Sequence, residues 1–245
     1  MDFLKKQAKV EDEIFTFQIS DKTTKSVTDF YREKPFPHYN KKDNKASLLH
    51  SGDSNFLAKI FKQFVGFNKN ILEIGCGTGQ LSIYFAIGSN NRIVGLDPTK
   101  ESLKIASRFT KENKIKNVRF VNADLFDNVL KDSFFDFIWC NGVLHHTKDP
   151  YEAFKLSVKY LKKDGYILVG LYNKIGRIRT NIRKLIFKIF GKKMILKIDP
   201  ILRKNKIKAD DQIDAWIRDQ YIHPVESTHT FDEVLNWFKR NNIDF

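Results

Sequence analysis

Cysteine is nearly absent from this chain. The two that occur, Cys76 and Cys140, lie far apart and each adjoins an expected strand end. Neither a disulfide framework nor a zinc site finds enough ligands in a suggestive spacing, so two free, partly buried thiols and no bound metal are expected. Long apolar runs are missing too. No segment approaches the roughly 18 uninterrupted apolar residues that a membrane span requires, and the opening MDFLKKQAKVEDE has nothing resembling a signal peptide. The expectation is a soluble, cytoplasmic protein. Glycine and proline are few, at 12 and 6 residues, and repeats and low-complexity tracts are absent, which excludes fibrous and disordered classes. With 42% hydrophobic and 29% charged residues, the 245-residue chain can build one α/β domain with a full core and an accessory segment.

Acids are scarce in one place. Between Lys174 and Lys208 thirteen Lys/Arg face a single acid, Asp199, so this stretch carries +12 of the chain's net +14 and the remainder is nearly neutral. A uniformly basic surface would suggest phosphate binding along the whole molecule; this distribution confines it to one segment.

From about residue 70, short apolar runs alternate with helix-period segments, the pattern of parallel strands joined by crossover helices. Strands are predicted at 71–74, 92–96, 118–122, 135–140 and 166–171. Asp149-Pro150 reads as an N-cap and first-turn proline of a helix that stops at Asp164-Gly165. Thr230 with Glu233 forms a capping-box pattern for a last helix from Phe231 to about Arg240. Residues 1–69 precede the alternation and contain YREKPFPHYN, where Pro35 and Pro37 impose extended or turn backbone around Phe36.

The first strand ends in an acid, Glu73, and runs into Gly75-Cys76-Gly77-Thr78-Gly79. Glycine suits a turn where the backbone bends tightly and a ligand approaches at contact distance, and the helix that follows would aim its first amides at that ligand. Asp97, eighteen residues beyond Gly79 and followed by Pro98, closes the second strand where a carboxylate can accept both hydroxyls of a ribose. The third strand ends at Asp124-Leu125, an acid beside an apolar side chain, and the fourth at Asn141-Gly142. All lie on the carboxyl edge of the sheet.

The ordered set LEIGCGTGQ, VGLDPT, NADLFD, FDFIWCNGVLHHTKDP and LKKDGYILVG resembles the class I S-adenosylmethionine-dependent methyltransferases over roughly residues 68–172. That resemblance implies an α/β, Rossmann-like doubly wound sheet, mostly parallel. It would have an N-terminal cap or lid at 1–69, a cofactor-binding core at 70–172, a basic helical insertion after the fifth strand at 173–220, and a C-terminal helix and strand at 221–245 completing the core. The cofactor would be S-adenosyl-L-methionine, leaving S-adenosyl-L-homocysteine as product. By the resemblance Glu73, Gly75, Cys76, Gly77 and Gly79 surround the methionine portion, Asp97 and Pro98 the ribose, Asp124 and Leu125 the adenine, and Asn141 the edge near the sulfonium. A dinucleotide fingerprint would need a glycine where Gln80 stands, which favours the methyl donor over NAD. The family's sheet closes with an antiparallel hairpin, whereas this chain reaches Phe245 about where the first strand of that pair is expected.

His145 and His146 follow the fourth strand and are candidate proton acceptors near neutral pH, or else loop residues that cap the next helix or contact the cofactor. Tyr31, Phe36, His38, Tyr39 and His223 are candidates for the wall of an acceptor pocket or for core packing. In the basic segment Ile178, Ile182, Leu185, Ile186 and Ile189 recur at helical spacing. An amphipathic basic helix of this kind reads as a lid docked by its apolar stripe, the preferred reading. The others are a site for an anionic partner: a phosphorylated substrate, an acidic lipid surface or RNA. The expected activity is methyl transfer to a small-molecule acceptor; an RNA methyltransferase and a non-catalytic cofactor-binding protein of the same fold are the alternatives.

Overall fold

The structure is a computed structural model that describes residues 2–40, 42–204 and 210–245, so Lys206 and Lys208 of the basic stretch lie outside the described residues. Two compact units divide the chain, Met1–Gly170 and Leu171–Phe245.

The first unit opens with a hairpin, β1 (Lys9–Glu11) and β2 (Ile14–Thr16), and three helices, α1 (Lys22–Glu33), α2 (Lys45–Ser54) and α3 (Phe56–Val65). The expected alternation follows: β3 (Asn70–Ile74), α4 (Gln80–Ala86), β4 (Arg92–Asp97), α5 (Lys100–Glu112), β5 (Val118–Asn122), β6 (Phe135–Asn141), α6 (Pro150–Tyr160) and β7 (Leu161–Gly170). The sheet order is β1-β2-β5-β4-β3-β6-β7, parallel except for the β1/β2 pair. The chain winds outward from β3 through β4 to β5, then returns to β6 on the other side. The switch point therefore lies between β3 and β6, where open α/β sheets bind ligands outside the carboxyl ends of their strands. Each central strand is apolar on both faces, and Phe61, Phe85 and Trp139 interlock between helices and sheet at ring separations of 5.0–5.6 Å.

The N-terminal segment adds strands that its sequence does not advertise. Asp12 and Glu13, both with positive φ (52° and 64°), make the hairpin turn without the Asn-Gly signal that usually marks one. Ile14 and Phe15 are buried where β2 joins β5. The added antiparallel pair thus sits beside β5, and β7 stands at the other edge.

Two sequence expectations are corrected. The helix α6 ends at Tyr160, not at Asp164-Gly165. Leu161 already pairs with Phe135, and residues 162–165 loop out before Tyr166 pairs with Phe137, with Asp164 at φ 61° absorbing the bend. At the other end, residues 241–245 form turn and coil where a strand was expected, and segment 221–245 belongs to the second unit. Backbone hydrogen bonding explains it: Asn241 N and Ile243 N both donate to Phe238 O at 3.0 Å, so the chain winds back on its own helix end.

The second unit contains α7 (Ile178–Ile198), α8 (Pro200–Arg203), α9 (Asp210–Ile217), a wide helical turn at Arg218–Ile222 and α10 (Phe231–Arg240). Thr230 caps α10 as expected, its side chain accepting from Glu233 N. Gly191, at φ 70°, kinks α7. A small core of Ile195, Leu202, Ile217 and Tyr221 surrounds Asp199, the lone acid of the basic stretch. That carboxylate caps α8 and accepts hydrogen bonds from Tyr221 Oη (2.5 Å) and Trp216 Nε1 (3.3 Å). Of the apolar stripe of α7 that was expected to dock as a lid, Ile178, Ile182, Leu185 and Ile189 are exposed and Ile186 is half-buried, while the inward side holds Phe187 on the small core and Lys184, which with Arg177 pairs with Glu226.

Candidate functional site

The turn between β3 and α4 is built from bare backbone. Gly75, Gly77 and Gly79 all have positive φ (70°, 52° and 75°). A Cβ on Gly77 would stand 2.2 Å from Phe36 O, and one on Gly79 2.7 Å from the Ala106 methyl. Every amide in the turn is committed inside the protein. Gly75 N and Cys76 N donate to Leu96 O, Thr78 N to Phe36 O, Gly79 N to Cys76 O, and Gly77 N to Asp97 Oδ2 at 2.8 Å. The turn itself therefore offers shape, and polar recognition is left to the side chains beside it and to the first amides of α4.

Chief among these is Asp97. It is buried, and each oxygen accepts one amide, Gly77 N on Oδ2 and Thr99 N (2.7 Å) on Oδ1. The Thr99 hydroxyl is a third partner; two carboxylate oxygens offer about four acceptor sites, so capacity remains for a donor such as a sugar hydroxyl. Burial raises the Asp97 carboxyl above its ordinary value, and the two amide bonds together with the Thr99 hydroxyl oppose that rise. The register fixes its place: Asp97 pairs with Asn122, whose Nδ2 donates to Asp97 O and Pro98 O and locks the two strand ends. Glu73, also buried, is pushed up to about 8 by desolvation and accepts from Ser82 Oγ on the first turn of α4. Burial likewise raises the thiol of Cys76, which packs under Gly95.

Segment 36–39 lies on the turn. Thr78 Oγ1 donates to Pro37 O (2.6 Å), Gln80 Nε2 to His38 O (3.0 Å), and Tyr39 Oη to Thr78 O (3.2 Å). Tyr39 also packs on Phe109, while Phe36 and His38 leave their side chains exposed and Tyr31 rests against Phe30 on α1. Thr78 is the residue the sequence reading passed over. It stands inside the glycine motif, 1% exposed, and clamps the segment. Its only signal was a hydroxyl where a turn needs none.

The remaining candidates divide. Asp124 is buried and accepts from Phe126 N (3.0 Å), capping a short 3-10 turn that holds the buried Leu125. Asn141 is exposed and its side chain lies over Gly170, where a Cβ would come within 1.7 Å of Oδ1. His145 and His146 lie in a 3-10 turn at Leu144–His146 with rings 4.2 Å apart, and both are buried, His145 fully. The cap of α6 is Asp149, not a histidine. His223 lies in the second unit, buried, its Nδ1 2.6 Å from Val225 O.

Residues 67–205 match the methyltransferase domain family. The chain belongs to that family. Among its relatives, YcgJ of Bacillus subtilis (strain 168), an uncharacterized methyltransferase, is 34% identical over 103 residues, covering 42% of this chain and 40% of that protein. The ubiquinone biosynthesis O-methyltransferase of Pelagibacter ubique (strain HTCC1062) is 31% identical over 136 residues, 55% of this chain and 52% of that protein. The chain therefore spans about half the length of these curated relatives. In fold it is similar to PKMT2 from Rickettsia typhi, with a TM-score of 0.58 at 20% identity over 71% of this chain and 38% of that one. The methyltransferase-family sheet is thus the Rossmann-like α/β architecture that the motifs implied. Its glycine turn, Asp97, Asp124 and Asn141 all come from carboxyl ends of neighbouring strands.

Proposed function

We propose that this protein binds S-adenosylmethionine at the carboxyl edge of β3, β4 and β5 and transfers its methyl group to a small-molecule acceptor. The observation that carries the reading is Asp97: a carboxylate buried against a glycine turn, with acceptor capacity left beyond the Gly77 and Thr99 amides and the Thr99 hydroxyl. Burying an acid costs stability unless something uses it, and a ribose diol presents hydroxyl donors for the acceptor capacity that remains. Glu73 supplies a second buried carboxylate one strand away, suited to the ammonium end of the same molecule. The residues present fit the cofactor in donor set and in the side-chain-free turn.

When bound, the cofactor supplies a methyl group already activated by the sulfonium charge. The chain's own part is alignment, which accounts for much of the acceleration in such in-line displacements. Segment 36–39, clamped by Thr78, would wall the site against water. Asp124 with Leu125 would receive the adenine, and Asn141, held over Gly170, would border the reacting end. If the acceptor is a hydroxyl, His146 is better placed than the fully buried His145 to take its proton. The name of the ubiquinone biosynthesis relative supports a small organic acceptor here.

Calorimetric titration with S-adenosylmethionine and S-adenosylhomocysteine tests the site: both bind the parent, and Asp97→Ala weakens both. Equal affinity in the variant would remove the carboxylate from the reading. Transfer of labelled methyl to small-molecule extracts, and not to bulk RNA, tests the acceptor class.

A further inference from the structure

The first part of α7 turns an apolar stripe outward. Up to its kink at Gly191 it reads IRTNIRKLIFKIF, and its apolar stripe of Ile178, Ile182, Leu185 and Ile189 is 53, 55, 60 and 64% exposed. The spacing of four, three and four residues puts these side chains on one face. The opposite face turns inward and is mixed: Thr180 is buried, Lys184 donates to Glu226 Oε2 at 2.6 Å, and Phe187 packs on the small core with its ring 5.9 Å from that of Tyr221. Just ahead of the helix Arg177 forms a two-pronged pair with the same carboxylate, both contacts 2.9 Å, and lies over the Tyr172 ring. Burial raises the Glu226 carboxyl, but the hydrogen bonds from Arg177 and Lys184 outweigh it and leave it below its ordinary value. This ionic anchor fixes the rotation of the helix, so the outward apolar face is a built feature.

Charge identifies what covers it. Residues 178–198 hold seven Lys/Arg and no acid. In helical projection Arg179 and Lys188 fall on the two flanks of the stripe, both exposed. An apolar band bordered on each side by long cationic side chains matches an anionic bilayer surface, with the aliphatic residues below the headgroups and the cations among the phosphates. A nucleic acid would use the cations and leave the stripe in water. A second copy would bring equal positive charge against it.

We propose that α7 lies in the plane of an anionic lipid surface, held by Ile178, Ile182, Leu185 and Ile189 and flanked by Arg179 and Lys188. It rests on the surface without crossing it; no helix among the described residues is long and apolar enough to span a membrane.

Flotation of the full chain with phosphatidylcholine vesicles, with and without phosphatidylglycerol, tests this. The protein is expected to float with the anionic vesicles only. Ile182→Asp with Leu185→Asp should lower that partitioning by roughly tenfold or more, since two apolar contacts become charges of the repelled sign. Arg179→Glu with Lys188→Glu, which leaves the stripe intact, should lower it by about fivefold or more per site and weaken its salt dependence. All four side chains are solvent-facing, so thermal melting is expected to match the parent. Equal flotation of parent and stripe variant would overturn the proposal. So would failure of the parent to float, a dimer that the stripe variant dissociates, or RNA binding that ignores the stripe.

Discussion

The carboxyl edge of the first unit and the first helix of the second depart from the usual inside-outside arrangement in opposite directions. At the sheet edge Asp97 and Glu73 are 7% and 5% exposed; on α7 Ile182 and Leu185 are 55% and 60% exposed. Neither departure is a packing accident, because each is held by hydrogen bonds. Asp97 is fixed by two amides of rigid turns, and α7 is rotated by the Arg177–Glu226–Lys184 cluster. Polar groups in the core and apolar groups in water both cost stability, and such costs persist where a ligand or surface offsets them.

The contrast breaks most completely at Gly77. A valine there meets a carbonyl oxygen at Cβ distance and must adopt positive φ, so donor binding should fall below calorimetric detection and segment 36–39 should become open to proteolysis. A Gly77→Val protein that binds donor with segment 36–39 still protected would show that the turn is not the contact surface. Next in size is the anchor of α7. Glu226→Ala leaves the buried Arg177 with Gln220 but without the carboxylate that pairs with it, the two side chains being 7% and 10% exposed, and should destabilise the second unit by about 3–5 kcal/mol. Urea unfolding followed through Trp216 and Trp237 measures it; a loss under about 1 kcal/mol would mean that something other than this pair sets the rotation.

The unequal legibility of the two regions has the same origin. Glycine spacing, the acid at a strand end and the Asp149-Pro150 start are local signals, and they placed β3 to β6, the turn and α6's first residue within a residue or so. The stripe on α7 was equally visible, but periodicity identifies faces without saying which one points inward. That choice depends on Glu226, more than forty positions after Lys184 in the chain. The β1/β2 hairpin escaped for a different reason: strands of three residues are too short to show an alternation, and Asp12-Glu13 lacks the glycine that marks a two-residue hairpin turn. At the site, Asp97 was found by position, whereas the Thr78 clamp depends on segment 36–39 returning across about forty residues.

Asp97→Ala sharpens the sheet-edge half of the comparison. It removes a charged acceptor from donor binding, worth on the order of 1.5–3 kcal/mol, or about tenfold to a hundredfold in affinity. It also leaves Gly77 N and Thr99 N without their partner. Asp97→Asn retains one acceptor oxygen and should fall between parent and alanine. If asparagine and alanine lose equally, the charge, and not the hydrogen-bond geometry, is what the donor reads.

The smallest effect is the pH dependence set by Glu73. Desolvation lifts its carboxyl from 4.5 to about 8, so between those values the folded protein keeps a proton that the unfolded chain has released. Stability from this group is therefore greatest at low pH, declines as pH rises from about 4.5 towards about 8, and levels off above that. Glu73→Gln imitates the protonated form, keeps an oxygen for Ser82 Oγ to donate to, and should flatten that part of the profile. The melting temperature of the parent relative to the variant should thus fall across this window. Binding adds a second reading of the same group. A cationic donor end beside Glu73 favours the ionised carboxylate, so donor affinity should rise with pH up to about 8, and binding below that should release a proton, visible as a buffer-dependent heat. A parent whose affinity and heat are indifferent to pH and buffer would place the ammonium elsewhere and leave Glu73 as a buried acid serving α4 through Ser82.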